Sequence, residues 1–164
     1  MEVFISWSGE RSRKVGELLK VWIRNVMQHV RPWFSADIAR GSVWFNELSN
    51  ALQNTKAGII CITKENRDAP WILFKAGAIS RGLGSNLVCT LLIDCSLDDL
   101  DPPLSQFNAT QPTEQGMMNL VRTLNAASGE KQLPQDLLET AFTLSRACSL
   151  HGGVQPLAIC RKIR

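Results

Sequence analysis

Two continuous apolar runs constrain the fold of this chain more than any other feature of its sequence. Residues Ala57 to Thr63 (Ala-Gly-Ile-Ile-Cys-Ile-Thr) and Leu87 to Ile93 each have the length of a strand and show no regular alternation of polar and apolar residues. Strands with one solvated face alternate, whereas parallel strands that are covered on both faces do not. The two runs therefore predict buried strands of a parallel sheet.

A short strand and a long amphipathic helix are predicted at the start of the chain. Val3 to Ser6 is an apolar run of strand length, and between about Glu10 and Val30 the apolar residues recur at steps of three and one. That spacing describes one stripe of a helix. Ser8 precedes the stripe and is predicted to cap the helix N-terminus.

Strands and helices continue to alternate along the rest of the chain. Arg31 to Phe34 predicts a second strand. Pro32 has no backbone N–H to donate, which indicates either an edge position or an irregular start of the strand. A fifth, peripheral strand is expected within Gln106 to Thr110. The apolar period predicts further helices over about residues 43–54, 70–81, 113–127 and 134–148.

This alternation, with right-handed crossovers, predicts a flavodoxin-like α/β fold, in which a five-stranded parallel sheet carries helices on both faces. The length of 164 residues suits one ordinary domain. We assign that domain to residues 1–127. Residues 128–164 are predicted to form a C-terminal helix and a tail, which either ends the chain or leads into an effector segment.

Composition and charge exclude several classes of protein. No apolar run approaches the roughly 20 residues that a membrane-spanning helix needs. The net charge is only about +3 and the basic residues are scattered, which argues against a nucleic-acid-binding protein. Met1 leads directly into the first apolar run without a basic leader, so we expect no secretory signal.

The cysteines and histidines indicate a reduced, cytoplasmic chain without a metal site. The five cysteines form no C-x-x-C pair, and Cys61 and Cys89 lie inside apolar runs, where cysteine behaves as a small buried apolar residue. The two histidines, His29 and His151, belong to no cluster of ligands, so no zinc site is predicted.

Three loops are predicted at the carboxyl edge of the sheet, where ligands bind in this class of fold. The first carries Ser6, Trp7 and Ser8, whose hydroxyls lie beside the free N–H groups of a helix start. Such a loop either holds a phosphate or ribose or is simply a capped helix end, and the loop alone favours the second. Arg40 in the second loop either reaches a phosphate or is solvated.

The third loop leads into a helix that begins near Pro70. Trp71 and Lys75 are four residues apart, which makes them neighbours on one helical face. An aromatic side chain there either stacks on a heterocyclic ring or is buried beside a solvated lysine. From these residues alone the second interpretation is favoured.

Taken together, the three loops resemble those of a bacterial Toll/interleukin-receptor (TIR) domain. The resemblance covers about residues 1–124 and rests on three short motifs in the expected order. They are Phe4-Ile5-Ser6-Trp7-Ser8, Asp37-x-x-x-Gly41-x-x-Trp44 followed by Glu47-Leu48, and Ala69-Pro70-Trp71-x-x-x-Lys75-Ala76-Gly77.

The resemblance implies an enzyme that cleaves NAD⁺ at the nicotinamide–ribose bond, with NAD⁺ as substrate and no cofactor. Enzymes of this family release ADP-ribose or cyclise it, and bacterial members commonly serve anti-phage defence. Their catalytic glutamate follows a tryptophan by four positions, which maps onto Trp71 and Lys75 here. The resemblance further implies that Ser6, Trp7, Ser8 and Arg40 border the nucleotide.

Lysine at the glutamate position reverses the charge that the reaction needs, so this chain is expected to be nearly inactive. Either the sequence is an inactivated version of a working enzyme, which the matching motifs favour, or it is a natural scaffold that acts through TIR–TIR self-association. Glu65 and Asp68 are poor substitutes because neither follows the tryptophan at helical spacing. A flavin- or other nucleotide-binding protein is disfavoured because the chain has no phosphate-cradling glycine loop.

Overall fold

The computed structural model describes residues 1–34, 52, 55–70, 72–74, 76–77 and 87–147. Within them the strands are β1 (Glu2–Ser6), β2 (Arg31–Phe34), β3 (Thr55–Ile62), β4 (Leu87–Leu92) and β5 (Ala109–Thr110). The α-helices with complete bounds are α1 (Glu10–Val26), α2 (Glu114–Ala126) and α3 (Gln135–Ala147). Residues 70, 72–74 and 76–77 are also helical and are called the Pro70 segment below.

The strands form one parallel sheet in the order β2-β1-β3-β4-β5. This confirms the predicted flavodoxin-like α/β fold, including the peripheral fifth strand. Strand β2 lies at an edge of the sheet, as Pro32 predicted. Because β2 and β3 lie on opposite sides of β1, the chain changes direction across the sheet at the β1–β3 pair, and this is the switch point where the class binds ligands.

Alternate residues of each strand pack into two apolar layers, one on each face of the sheet. Val3 and Ile5 face the layer that contains α1, α2 and α3. Phe4 faces the other layer, together with Ile72 and Ala76 of the Pro70 segment. Strands that are buried on both faces account for the continuous apolar runs in the sequence.

The helix after β1 begins at Glu10, as the sequence predicted, but its N-cap residue and its C-terminal end differ from the prediction. Gly9 occupies the N-cap position with a φ of 87°, and no side chain caps the helix, so Ser8 is not the cap. This left-handed conformation is one that glycine adopts without strain. The helix ends at Val26, and a turn in which Val30 N–H donates to the Met27 carbonyl (3.0 Å) redirects the chain into β2.

The sequence also made predictions about the cysteines, membrane-spanning helices and the C-terminal part of the chain. Cys61 and Cys89 are buried free thiols, as predicted. No helix in the described part of the chain is long and apolar enough to cross a membrane. Apart from Leu52, the predicted helix over residues 43–54 lies outside the described residues, as does the tail from 148 to 164. The domain boundary at residue 127 stays a prediction.

Candidate functional site

The candidate site is the carboxyl edge of the sheet at the β1–β3 switch point. Ser6 is the last residue of β1 and lies opposite Ile60 of β3 in the parallel register. The loop that follows β1 leads into α1, and the loop that follows β3 leads into the Pro70 segment. Side chains from both loops therefore meet at one edge, as the sequence predicted.

Two buried hydroxyl groups lie at this edge without a hydrogen-bond partner among the described residues. Ser6 is fully buried, and Thr63, the residue after β3, is 1% exposed. Buried polar atoms are nearly always hydrogen-bonded in folded proteins, so each unpartnered group calls for an explanation. A bound polar ligand is one such explanation for Ser6, which the sequence selected as a site residue.

Trp7 packs away from Ser6, against the layer that contains α1. Its indole meets the Phe34 ring edge-on, with the ring centroids 6.5 Å apart. Gly16 of α1 makes room for it, because a Cβ at that position would lie 3.2 Å from Cδ1 of Trp7. The structure therefore separates two side chains that are adjacent in the motif. The predicted contact of Trp7 with a nucleotide stays a prediction.

Ser8 takes part in the site through its backbone. Its carbonyl accepts hydrogen bonds from the Ser12 hydroxyl (2.6 Å) and from the Asn66 side-chain amide (2.9 Å). Its N–H group donates to Ser12 Oγ (3.0 Å). The loop after β1 is thus held against the first turn of α1 and against the loop after β3.

Asn66 is the residue that joins the two loops, and the sequence analysis missed it. Its side chain is 3% exposed; besides the bond to Ser8, Nδ2 donates to the Cys61 carbonyl (3.1 Å), and Oδ1 accepts from Thr63 N–H (2.8 Å). Asparagine commonly bonds to nearby backbone in turns, so its place in the loop that follows a buried strand was the available signal. That signal indicates a turn but does not reveal the bond across to Ser8.

Charged side chains reinforce the same edge. Arg11 of α1 forms a close ion pair with Asp94, the second residue after β4, and lies 3.6 Å from a carboxylate oxygen of Glu65. Asp94 also accepts from Lys64 N–H (2.8 Å). The Arg11 guanidinium is therefore engaged by carboxylates, and the loops after β1, β3 and β4 are tied together.

A second ion pair holds the loop after β3 to the loop after β4. Arg67 lies 3.2 Å from the Asp99 carboxylate and donates to the Asp99 carbonyl (2.9 Å). The N–H and hydroxyl of Ser96 donate to that carboxylate and lower the pKa of Asp99, with Lys64 and Arg67 contributing less. Asp99 therefore stays ionised, and its charge offsets that of Arg67.

The Pro70 segment begins at this edge, directly after the loop that contains Asn66. The N–H groups of Ile72 and Leu73 donate to the Ala69 carbonyl (2.9 and 3.2 Å), which starts the helical turn. Ile72 and Ala76 are fully buried on the face of the sheet that Phe4 also faces.

The three other predicted site residues lie outside the described residues. They are Arg40, Trp71 and Lys75. Their roles stay predictions from the sequence. Among the described residues, no group of three or more histidine, cysteine or acidic side chains is placed to hold a metal ion.

The fold and the switch-point site define a doubly wound parallel α/β domain. Comparison with solved structures shows which fold of this class the chain has. The chain aligns with the TIR domains in the structure of the activated Roq1 resistosome, which directly recognises the pathogen effector XopQ, with a TM-score of 0.52. The alignment covers 99% of this chain and 96% of that chain at 15% sequence identity. This chain therefore has the fold of a TIR domain.

Comparisons based on sequence add nothing to the structural likeness. No model of a known protein family matches the chain, and no curated protein matches it. At 15% identity the likeness to the resistosome domains shows the fold alone.

Proposed function

We propose that this chain is a bacterial TIR domain of the NAD⁺-cleaving type, built for anti-phage signalling, in which Lys75 silences cleavage of the nicotinamide–ribose bond. The observation that carries the proposal is the start of the Pro70 segment at the β1–β3 switch point, on the face of the sheet that Phe4 also faces. The motif Trp71-x-x-x-Lys75 belongs to the same stretch of sequence.

The buried hydroxyl of Ser6 supports the position of the substrate. It ends β1 at the switch point and has no partner among the described residues. A ribose or phosphate oxygen would satisfy it, and ligands of this fold class bind beyond the carboxyl ends of the strands. In this proposal Trp71 lines the nicotinamide side of the cleft, and Arg40 borders the nucleotide.

The charge at position 75 decides whether the reaction proceeds. Breaking the N-glycosidic bond develops positive charge on the ribose, which a carboxylate stabilises. A unit charge about 4 Å away at an effective dielectric constant of ~20 contributes roughly 4 kcal/mol. Replacing a carboxylate by an ammonium group reverses the sign, a change of at most about 8 kcal/mol. At about 1.4 kcal/mol per factor of ten, the rate falls by several powers of ten.

The proposal is tested by restoring the carboxylate. Lys75→Glu and the unchanged chain are incubated with NAD⁺ at high protein concentration, and released nicotinamide is followed by chromatography. We expect the unchanged chain to release almost none and Lys75→Glu to release it at least about a hundredfold faster, well within the electrostatic limit.

Two further variants distinguish the effect of a carboxylate at position 75 from the effect of simply replacing the lysine. Lys75→Gln removes the ammonium without supplying a carboxylate, so its rate should stay far below that of Lys75→Glu. Adding Trp71→Ala to Lys75→Glu should lower the rate again. If folded Lys75→Glu releases no nicotinamide even at high concentration, the chain is not a silenced enzyme of this type.

A second candidate function is a non-catalytic scaffold that assembles with copies of itself. It is favoured by two exposed leucines seven residues apart on α3, Leu137 (53% exposed) and Leu144 (59% exposed), which present an apolar stripe to solvent. Sedimentation distinguishes the two functions. Concentration-dependent assembly, together with no turnover by Lys75→Glu, would favour the scaffold.

A further inference from the structure

A basic groove lies at the amino edge of the sheet, opposite the candidate site. It is open to solvent, has a volume of about 560 Å³, and is formed where β1, β2 and β3 begin. This volume is within the range of small-molecule sites. The described residues that line it are Met1, Glu2, Gln28, His29, Arg31, Lys56 and Lys131.

In the part of the chain that the structure describes, the side-chain cations of this groove have no ion-pair partner, unlike the arginines at the opposite edge. Arg31, Lys56 and Lys131 come from three different elements, and none forms an ion pair with another described residue. Arg11 and Arg67, at the carboxyl edge, are both paired with carboxylates. Glu2 is the one carboxylate among the described lining residues, so the groove carries a net positive charge.

Burial and the positive charge of the groove lower the pKa values of its two weaker bases, the Met1 amino group and His29. The amino group of Met1 donates to the His29 carbonyl (2.8 Å), and its pKa is lowered by burial and then by Lys131 and Arg31, against a small opposing effect of Glu2. The pKa of His29 is lowered by burial, then by the Met1 amino group and by Lys131. Both groups are thus shifted towards their neutral forms, partly by repulsion that a bound anion would relieve.

A second hollow continues the groove along the same edge. It has a volume of about 490 Å³, shares Gln28 and Arg31 with the first, and adds Arg24, which also has no ion pair among the described residues. The positive surface is therefore larger than a single small anion would cover. No tryptophan or phenylalanine is among the described residues that line either hollow.

We propose that this groove binds a small polyanion with two or more linked phosphate groups. Guanidinium and ammonium groups are the side chains that bind phosphate oxygens best, and arginine does so with two parallel hydrogen bonds. Arg31 lies where the two hollows join, with Lys56 and Lys131 in the larger hollow. Because no tryptophan or phenylalanine is among the described residues of the groove, we expect it to recognise the phosphates without stacking on an attached base.

Free pyrophosphate and the diphosphate of a nucleotide share this chemistry, so the test uses both. Calorimetric titrations of the full chain with pyrophosphate, ADP and adenosine are compared at low salt. Pyrophosphate and ADP should bind, and adenosine should not. Equal affinities would indicate recognition of the phosphates alone, whereas tighter binding of ADP would indicate a nucleotide ligand.

Matched substitutions test the location. Arg31→Gln and Lys131→Gln should each weaken pyrophosphate binding about tenfold, as expected for the loss of one charge-assisted hydrogen bond. Lys14→Gln removes the same charge from an exposed lysine in α1, which is paired with Glu10 instead (3.7 Å), and should leave the affinity nearly unchanged. Circular dichroism confirms that each variant is folded.

A spectroscopic readout is independent of these substitutions. Pyrophosphate should raise the pKa of His29, followed by NMR, because the anion offsets the Met1 amino group and the side chains of Arg31, Lys56 and Lys131. The proposal is overturned if pyrophosphate does not bind at millimolar concentration, or if Lys14→Gln weakens binding as much as Lys131→Gln. Binding of a DNA duplex that depends on Lys131, without binding of pyrophosphate, would overturn it in favour of a nucleic-acid surface.

Discussion

A single amide side chain joins two loops whose residues are 58 positions apart in the sequence. Asn66 bonds to Ser8 across the switch point and to Cys61 and Thr63 within its own loop. Asn66 is 3% exposed; its bonds to Cys61 and Thr63 are buried, and its bond to Ser8 is partly buried. Burial makes such bonds costly to lose, since an unsatisfied donor or acceptor then has no water to replace its partner.

Replacing this side chain should destabilise the domain. We expect Asn66→Ala to lower the free energy of unfolding by about 2–3 kcal/mol, because the buried Thr63 N–H loses its acceptor and two carbonyls lose a donor. Urea denaturation measures the change. Asn119→Ala, at an exposed position in α2, should change stability by only a few tenths of a kcal/mol. Equal stability of the two variants would show that the Asn66 bonds contribute nothing.

For single residues, the sequence predicted their place in a strand or loop better than the direction in which their side chains point. Ser6 was placed correctly at the end of a strand, where its hydroxyl is buried. Ser6, Trp7 and Ser8 were grouped because they are consecutive, but successive side chains of an extended chain point to opposite faces. Trp7 accordingly packs on Phe34. Which face Trp7 takes depends on the space beside Gly16, and that contact exists only after α1 has docked.

The first residues of α1 and α2 show that the apolar period of the sequence locates a helix but does not identify the residue that caps it. Thr113 caps α2, with its hydroxyl accepting from Gly116 N–H (3.0 Å), and the sequence predicted a helix start at that residue. For α1 the sequence predicted Ser8 as the cap, yet the residue at the cap position is Gly9. The apolar period located both helices, but it does not report the backbone φ that decides which residue caps them.

Replacing glycine by alanine should have opposite effects on stability at two helical positions, Gly116 and Gly77. A Cβ at Gly116 would overlap the Gln111 carbonyl oxygen and lie 3.1 Å from Thr113 Oγ1, whereas a Cβ at Gly77 meets nothing within 4 Å. Alanine is favoured over glycine in a helix by up to about 1 kcal/mol. We therefore expect Gly77→Ala to raise the thermal midpoint and Gly116→Ala to lower it. Calorimetry of both variants tests this, and a stabilised Gly116→Ala would contradict the predicted overlap.

On the scale of the whole molecule, the alternation of strands and helices predicted the five-stranded parallel sheet, but it did not predict where α3 packs. The sequence assigned the helix near residues 134–148 to a separate C-terminal stretch. In the structure Phe142 packs edge-on against Trp22 of α1 (ring centroids 5.8 Å apart), and Trp22 Nε1 donates to Ser145 Oγ (3.0 Å). An apolar stripe predicts that a helix docks, but it does not say which element it docks on.

From these contacts we expect the stability of the sheet to depend on α3, the helix that follows the predicted boundary at residue 127. Phe142→Ala should lower the free energy of unfolding by about 3–5 kcal/mol, because Phe142 is 3% exposed in the same apolar layer as α1. Leu144→Ala, at a side chain that is 59% exposed, should change it by about 0.5 kcal/mol or less. Chemical denaturation of the two variants measures both effects.

A chain that ends at residue 127 extends the test to the boundary itself. It lacks Leu138 and Phe142, so Trp22 and its neighbours in α1 lose the side chains that cover them. We expect the shortened chain to unfold at a markedly lower denaturant concentration. Its tryptophan emission, to which Trp22 contributes, should shift towards that of an exposed indole. An unchanged midpoint and spectrum would instead show that residues 1–127 fold as a domain of their own, with α3 as an appendage.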